Sequence, residues 1–510
     1  MRVGGNSMHI VTAEEMYELE HITFSEIGIP SSVLMYTAGN EIAKQVMKRE
    51  NPCNHVTVMI GPGNNGGDGF VVAHLLKEAG FEVIAIQAVA NEKVTGDAAI
   101  YKKVYLASGG LLKQHLKVAE IAQHLHQTDI VIDALLGIGI KGTPKEEMCT
   151  LIEIINQSRA TVYAIDIPSG VPIDRVAGEV IAVQADVTYC LIAYKMSAFL
   201  KDTAPFYGET ILLAFGIPAN VFERVSSRQL ITQETVTKHL PKRDPFSHKG
   251  SHGRGLVIGG SAEMPGSITM TSRAALRTGA GLLQVATIKR VIPTIAAACQ
   301  EAMYIELTGE TSITGGIEKL NFATADAVAI GPGMTKEKAA EEFFRACFDQ
   351  ECTLIIDADG LTHLKNELNR LKDKTSPVII TPHPKEMAWL CDCSVNEILA
   401  DPFQYAARFA KHYQVYVILK GTYTIIASPD GQTAVNTTGN PGLAKGGSGD
   451  VLTGMVLGMV LQMTDIFAAL CNAVYMHGRA ADILVERTHA EQDLLATDVL
   501  TGISDVYRSL

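Results

Sequence analysis

His55-Val56-Thr57-Val58-Met59-Ile60-Gly61-Pro62-Gly63-Asn64-Asn65-Gly66-Gly67-Asp68-Gly69 reads as a β-rich run that empties into a glycine-rich loop and then opens a helix. Gly61, Gly63 and Gly66 fit G-x-G-x-x-G, a weak signal by itself. A dinucleotide fold also wants an acid closing the next strand to hold a ribose. Here that strand, Glu82–Ile86, runs out through Gln87, Ala88 and Val89, so a nicotinamide-dehydrogenase reading loses support. Two asparagines and an aspartate instead bring amide and carboxylate oxygens to a helix end that favours anions.

Working outward, short β-rich runs alternate with helical patterns. After an amphipathic opening helix (Thr12 to His21), strands are predicted at His55–Ile60, Glu82–Ile86, Ile130–Leu135, Val162–Ile165, Val187–Ile192 and Ile211–Leu213. Gly216-Ile217-Pro218 and a polar stretch through Asp244 break the series, which puts a boundary near residue 225. A second series has strands near Leu256–Ile258, Gln284–Thr287, Ala327–Ile330, Thr353–Ile356, Val378–Ile380, Val415–Leu419 and Thr424–Ala427. Helices near Ile268–Thr278, Lys336–Phe348, Pro402–His412, Val451–Met463 and Ile466–Glu486 interleave with these strands. The expectation is α/β throughout: two domains, 1–225 and 226–510, each a mostly parallel sheet with helices on both faces.

The 510 residues are too many for one core and suggest roughly two to four domains. With 47% hydrophobic and 19% charged residues, the composition is that of a globular protein. A net charge of −12 with no lysine/arginine run argues against a nucleic-acid partner. Anionic ligands must then be held by local devices such as helix ends. The apolar run Val451–Met463 is too short to span a bilayer, so no membrane partner is expected. Residues 1–7 lack the apolar stretch of a signal peptide, and nine scattered cysteines fit reduced thiols, so a cytoplasmic location is expected. Cys391-Asp392-Cys393 has no second pair at zinc spacing and reads as structural.

Two more strands of the first series end in polar loops: Asp133-Ala134-Leu135-Leu136-Gly137-Ile138-Gly139-Ile140-Lys141-Gly142, and Asp166-Ile167-Pro168-Ser169-Gly170. Carboxyl ends of parallel strands share one crevice, so Asn65, Asp133, Asp166 and Ser169 should converge there. Each alone could be a helix cap. Together, an oxygen-only set suits a hard cation. In the second series, Gly446-Gly447-Ser448-Gly449-Asp450 leads into Val451-Leu452-Thr453-Gly454-Met455-Val456-Leu457. Bare amides and a positive helix end make an anion cradle, and Asp450 sits in its mouth. The plainer reading is a glycine loop before a buried helix. An acid there makes sense if it deprotonates a hydroxyl that attacks phosphate.

The Asn-Asn-Gly-Gly-Asp-Gly segment, the Asp133 loop and Asp-Ile-Pro-Ser-Gly together resemble the NAD(P)H-hydrate epimerase family over roughly residues 8–220. The resemblance implies K+ bound by Asn65, Asp133 and Ser169. It implies the hydrated nucleotide on Asn64, Asn65, Gly66, Gly67 and Asp68, on Gly137, Ile138, Gly139, Ile140, Lys141, Gly142 and Thr143, and on Asp166. Asp166 would move the proton needed for inversion at the ring carbon that bears the hydroxyl.

The Asp450 loop resembles the ribokinase superfamily, without a Walker A pattern. Phe246-Ser247-His248-Lys249-Gly250, Gly259-Gly260-Ser261, Gly331-Pro332-Gly333, Asp357-Ala358-Asp359-Gly360-Leu361, Thr381-Pro382-His383-Pro384-Lys385-Glu386 and Leu419-Lys420-Gly421-Thr422 narrow it. They resemble the nucleotide-dependent NAD(P)H-hydrate dehydratases over residues 235–508. The resemblance implies a Rossmann-like three-layer sandwich followed by a ribokinase-like domain. It implies substrate on Ser267, Gly333, His383 and Asp450, with Ser267 standing where relatives are expected to carry alanine. The adenine nucleotide, ADP before ATP, would lie on Lys420, Gly421, Thr422, Tyr423, Thr424, Gly446, Gly447, Ser448 and Gly449. Glu386 is a candidate to hold Mg2+ through water, or else a surface-helix residue. His383 is a ligand or a loop cap. The family also implies a homo-oligomer that acts on small molecules. Two rival readings remain: a small-molecule kinase fused to a sensing domain, and an N-terminal half that only binds.

Overall fold

The computed structural model describes residues 8–139, 142–174 and 178–510. Two compact units result, Met1–Ser227 and Arg228–Leu510.

In the first unit, β1 (His55–Ile60), β2 (Glu82–Gln87), β3 (Leu111–Gln114), β4 (Ile130–Ala134), β5 (Thr161–Ile165), β6 (Val187–Leu191) and β7 (Glu209–Leu213) form one sheet. Its order is β3-β2-β1-β4-β5-β6-β7 and every pairing is parallel. Strand alternation explains the three layers. Val56, Val58 and Ile60 pack one way, with Ile42, Val46, Phe70 and Leu76 of helices Ser31–Arg49 and Gly63–Glu78. Met59 and Val131 pack the other way, with Leu125 of helix Val118–Leu125 and Ile152 and Ile155 of helix Glu146–Gln157. A parallel sheet buried on both faces needs this apolar content at successive positions. The strand order reverses between β1 and β4, which opens the crevice there.

The Asn64–Asp68 stretch is not a loop. The helix already begins at Gly63, behind Pro62. Its glycines serve close approach instead of turning. A Cβ at Gly66 would stand 2.2 Å from Gly61 O, one at Gly67 2.5 Å from Met35 Sδ, and one at Gly69 2.6 Å from Ala134 Cβ.

The second unit has ten strands: β8 (Arg228–Leu230), β9 (Arg254–Ile258), β10 (Leu282–Ile288), β11 (Met303–Leu307), β12 (Ala327–Ile330), β13 (Thr353–Ile356), β14 (Val378–Ile380), β15 (Tyr416–Leu419), β16 (Thr424–Ala427) and β17 (Thr433–Asn436). The order is β8-β17-β16-β15-β14-β13-β12-β9-β10-β11. From β11 to β15 the pairings are parallel; β15-β16-β17 turn antiparallel. Helix Ser448–Val460 starts three residues earlier than the sequence pattern suggested. It lies against helix Pro265–Arg277 through glycine: a Cβ at Gly454 would be 2.1 Å from Thr271 O and one at Gly458 2.8 Å from Ala275 O. Among the described residues, no helix is long and apolar enough to cross a membrane.

The tightest backbone approach gives a direct check. A Cβ at Gly61 would fall 1.6 Å from Leu135 O, an atom that cannot swing aside. Gly61→Ala is expected to destabilise the first unit by at least the roughly 1–3 kcal/mol typical of overpacking, read as a fall in its thermal midpoint.

Candidate active sites

In the first unit the carboxyl ends of β1, β4 and β5 bring three predicted residues together. Asp133 and Ser169 are both fully buried. The Ser169 hydroxyl donates to Asp133 Oδ1 at 2.6 Å and the Ser169 amide donates to Oδ2 at 2.8 Å. Asn65 Nδ2 donates to the Leu136 carbonyl at 2.9 Å, and the Leu136 amide donates to Ser169 Oγ at 2.8 Å. One stretch of backbone therefore joins all three side chains. Burial pushes the Asp133 carboxyl up to about 6, against the Ser169 and Leu135 hydrogen bonds; no cationic side chain is among its determinants. An enclosed carboxylate with oxygen neighbours and, among the described residues, no ammonium acting on it fits a hard monovalent cation.

Above this layer lies a cavity of about 820 Å³. Asn64, Asn65, Asp68, Gly137, Ile138, Gly139, Thr143 and Asp166 line it. Gly66 and Gly67 do not; they are consumed in helix packing, and Gly142 also lies off the lining. Ile140 and Lys141 lie outside the described residues. Asp166 ends β5 in the left-handed region (φ 68°), where only a local restraint holds a non-glycine residue. That restraint is Lys195, wholly buried and ion-paired with Asp166, while the Leu191 amide donates to Asp166 Oδ1 at 3.0 Å. Glu20, from helix Ala13–Ile22, lines the same cavity. Sequence reasoning missed both Glu20 and Lys195. The available signal was a lysine inside the apolar run Cys190–Met196, since a buried lysine is almost always paired.

In the second unit, Gly447 (φ 95°) caps helix Ser448–Val460, so Ser448, Gly449 and Asp450 form its first turn, where amides have no helical acceptor. Gly446 opens onto empty space, and a Cβ at Gly449 would meet Lys420 Nζ at 3.3 Å. An ammonium thus stands at the mouth of the amide cradle. It is fixed by Asp357 at the end of β13: Lys420 Nζ (2.9 Å) and the Thr381 hydroxyl (2.7 Å) donate to Oδ1, and the Thr453 hydroxyl (2.7 Å) donates to Oδ2. Burial pushes the Asp357 carboxyl up, yet Lys420 and the two threonines outweigh it and hold the group below the usual range. Asp357 was visible as a strand-end acid but was not assigned to the site.

Asp450 is half-buried. Burial and the Asp357 charge raise its carboxyl to about 6, opposed by a hydrogen bond from Ser267 and by Lys420. A Cβ at Gly333 would lie 3.2 Å from Ser267 Cβ, so the Gly331–Gly333 turn abuts the same spot. His383 is the N-cap of helix Pro384–Cys391: its Nδ1 accepts from the Lys385 and Glu386 amides, both at 3.1 Å. Glu386 returns the bond, Oε2 accepting from the His383 amide at 2.8 Å, and lies 4.0 Å from Lys420. Lys420–Thr424 links the antiparallel strands β15 and β16, with Gly421 and Thr422 exposed and Tyr423 and Thr424 partly buried. Among the described residues no cluster of three histidine, cysteine or acidic side chains could hold a metal.

Comparison with known proteins matches residues 31–197 to the family model for the YjeF-related protein N-terminus, and residues 255–504 to that for NAD(P)H-hydrate dehydratase. The bifunctional NAD(P)H-hydrate repair enzyme Nnr of Moorella thermoacetica is 34% identical over 99% of this chain and 97% of its own. That of Escherichia coli is 33% identical over 97% and 93%. The chain belongs to the bifunctional NAD(P)H-hydrate repair enzyme family. Among solved structures, an ADP/ATP-dependent NAD(P)H-hydrate dehydratase from Bacillus subtilis, co-crystallized with ATP/Mg2+, is 34% identical, covering 55% of this chain and 98% of its own with a TM-score of 0.48. In this chain the first matched segment contains Asn65, Asp133, Asp166, Ser169 and Lys195, and the second contains Ser267, Asp357, Lys420 and Asp450.

The Ser267–Asp450 bond is open to direct measurement. Carboxyl-carbon NMR titration should place Asp450 near 6, and Ser267→Ala, by removing a donor to the ionised form, should move that midpoint upward.

Proposed function

We propose that this chain repairs hydrated NADH and NADPH. The Met1–Ser227 unit interconverts the R and S hydrates. The Arg228–Leu510 unit dehydrates the S form with ADP, releasing AMP and phosphate. One observation carries the second activity: Asp450 in the first turn of a helix whose glycine approach sets the Lys420 ammonium beside Gly449.

The chemistry follows from that arrangement. Hydroxide is a poor leaving group. Asp450 removes the proton of the ring hydroxyl, whose oxygen attacks the terminal phosphorus of ADP as the bond to AMP breaks. First-turn amides and Lys420 neutralise the charge that develops on the transferred group. Phosphate then departs from this ester with the C–O electrons, and loss of a proton from the neighbouring carbon restores the ring double bond. Mg2+, held mainly by the nucleotide phosphates with Glu386 reaching it through water, would add charge neutralisation. In the first unit Asn65, Asp133 and Ser169 would hold K+, a fixed positive charge under the cavity floor. Asp166 faces that cavity as the group that moves a proton. Exposed Val33, Tyr36, Ile100 and Val104 on helices Ser31–Arg49 and Gly96–Ala107 support a homo-oligomer.

Three outcomes test this reading. Asp450→Asn should lower ADP-dependent formation of NADH from its hydrate by about 10²–10⁴-fold. A released phosphorylated acceptor, in place of free phosphate and NADH, would instead favour a small-molecule kinase. In the native chain the dehydration rate should fall as pH drops through about 6, because the base is then protonated. The Asp133 carboxyl, raised when folded, makes its ionisation unfavourable for folding above the unfolded value, by on the order of 3 kcal/mol once pH passes about 6. Potassium chloride should therefore raise the thermal midpoint of the first unit over choline chloride at pH 8, and do so little at pH 5.

A further inference from the structure

The first unit's cavity contains more acid than its assigned chemistry uses. Glu20, Asp68 and Asp166 all line it, from helix Ala13–Ile22, helix Gly63–Glu78 and the end of β5. Lys93 and Lys145, with Asp97 and Glu147, line the same cavity, but among the described residues the cation that acts on Glu20 and Asp68 is Lys195 behind Asp166. Lys195 donates to the Asp166 carboxylate, to Leu191 O at 2.9 Å and to Ala193 O at 3.2 Å. Three donors meet three acceptors, and the residue is fully buried, so its ammonium is a fixed charge behind Asp166 and has nothing left for a ligand.

With Glu20, Asp68 and Asp166 all ionised, three neighbouring carboxylates would lean on the single ammonium of Lys195, which is strongly unfavourable for buried groups. Lys195 is spent on Asp166. Asp68, buried in the second turn of its helix, shares the cavity with Asp166 and Glu20 and, among the described residues, is ion-paired with no cation. We propose that Asp68 is the general acid of the epimerising site, that Asp166 is the base that works with it, and that Lys195 is a positioning residue that holds Asp166 in an ion pair and aims it. This rests on the reading of the first unit as an epimerase. The titration directions agree: burial first, then Asp166 and Glu20, hold Asp68 far above the carboxylate range, and burial and Asp166 raise Glu20. Of the other titratable groups around them, Tyr17 faces Glu20 and is raised by burial and by that charge; Cys190 and Tyr207 face the Lys195–Asp166 pair, and burial keeps both protonated.

The step balances. The ring carbon carries its hydroxyl beside the ring nitrogen. Asp68 gives its proton to that hydroxyl as the C–O bond breaks, and the nitrogen lone pair fills the gap, leaving water and a cationic ring that the remaining carboxylates stabilise. Water then adds to the opposite face and loses a proton to Asp166, which passes it back to Asp68 through Glu20 or solvent. No proton is gained or lost overall, and a single acid could serve only one face.

The test uses full-length protein without nucleotide and follows R-to-S exchange of NADH hydrate by chromatography across pH. Asp68→Asn should reduce exchange by about 10²–10⁴-fold with little change in KM. Lys195→Gln should shift the acidic limb of the pH profile upward, with partial recovery at high pH, and Lys195→Arg should restore much of the native profile. ADP-dependent dehydration of the S hydrate by the same preparations reports that the chain is folded. Native-like exchange in Asp68→Asn, or a Lys195→Gln protein altered in thermal midpoint alone, overturns the inference. If the native chain itself fails to exchange the epimers, the epimerase reading fails instead.

Discussion

Both units depend on one constraint: the helix that opens at the carboxyl edge of the parallel sheet must pack against its neighbours with no side chain between. Where Gly66 passes Gly61 and Gly69 passes Ala134, a methyl group would occupy space already held by backbone or a neighbouring Cβ. The same requirement recurs where Gly454 and Gly458 let the cradle helix lie on helix Pro265–Arg277. Close approach brings the helix's unpaired amides to the crevice and fixes the first-turn side chains relative to the strand ends. The position of Asp68 and the position of Asp450 are both consequences of glycine elsewhere.

Electrostatics is arranged locally, in keeping with a chain of net charge −12. Each site ties a lysine to a buried aspartate, the fully buried Lys195 to Asp166 and the partly exposed Lys420 to Asp357, with further acids at a greater distance. The lysine's partner sits in an ion pair, and the acid outside that pair, Asp68 or Asp450, has a raised affinity for protons. One fold thereby sets a charged and a proton-holding carboxyl side by side.

Much of this was legible in the sequence because apolar β-rich runs and strand-end glycines announce parallel strands. Every strand read from the pattern is present, with boundaries displaced by a residue or two. Most of the misses lie at sheet edges. Leu111–Gln114 and Met303–Leu307 are sheet edges, half-wet and weakly patterned; Arg228–Leu230 is an edge that tertiary pairing alone defines. Thr433–Asn436 is interior but too short and polar to stand out. The helical start at Gly63 was hidden because glycine reads as loop until the atoms it must avoid are known. At the sites, strand-end acids could be listed from sequence, but not the lysine each would choose. Asp166 with Lys195 and Asp357 with Lys420 are separated by 29 and 63 positions.

Asp357 receives hydrogen bonds from Thr381, Lys420 and Thr453, so a single carboxylate knots three neighbouring strand ends to the cradle helix. Loosening any one of these elements would expose a charge that has no other compensation. The region should therefore open only as a whole, and its amides should rank among the slowest to exchange with deuterium in the second unit. A cradle this rigid keeps its shape through each turnover, and the motion that admits and releases nucleotide must belong to parts of the rim that Asp357 does not tie down.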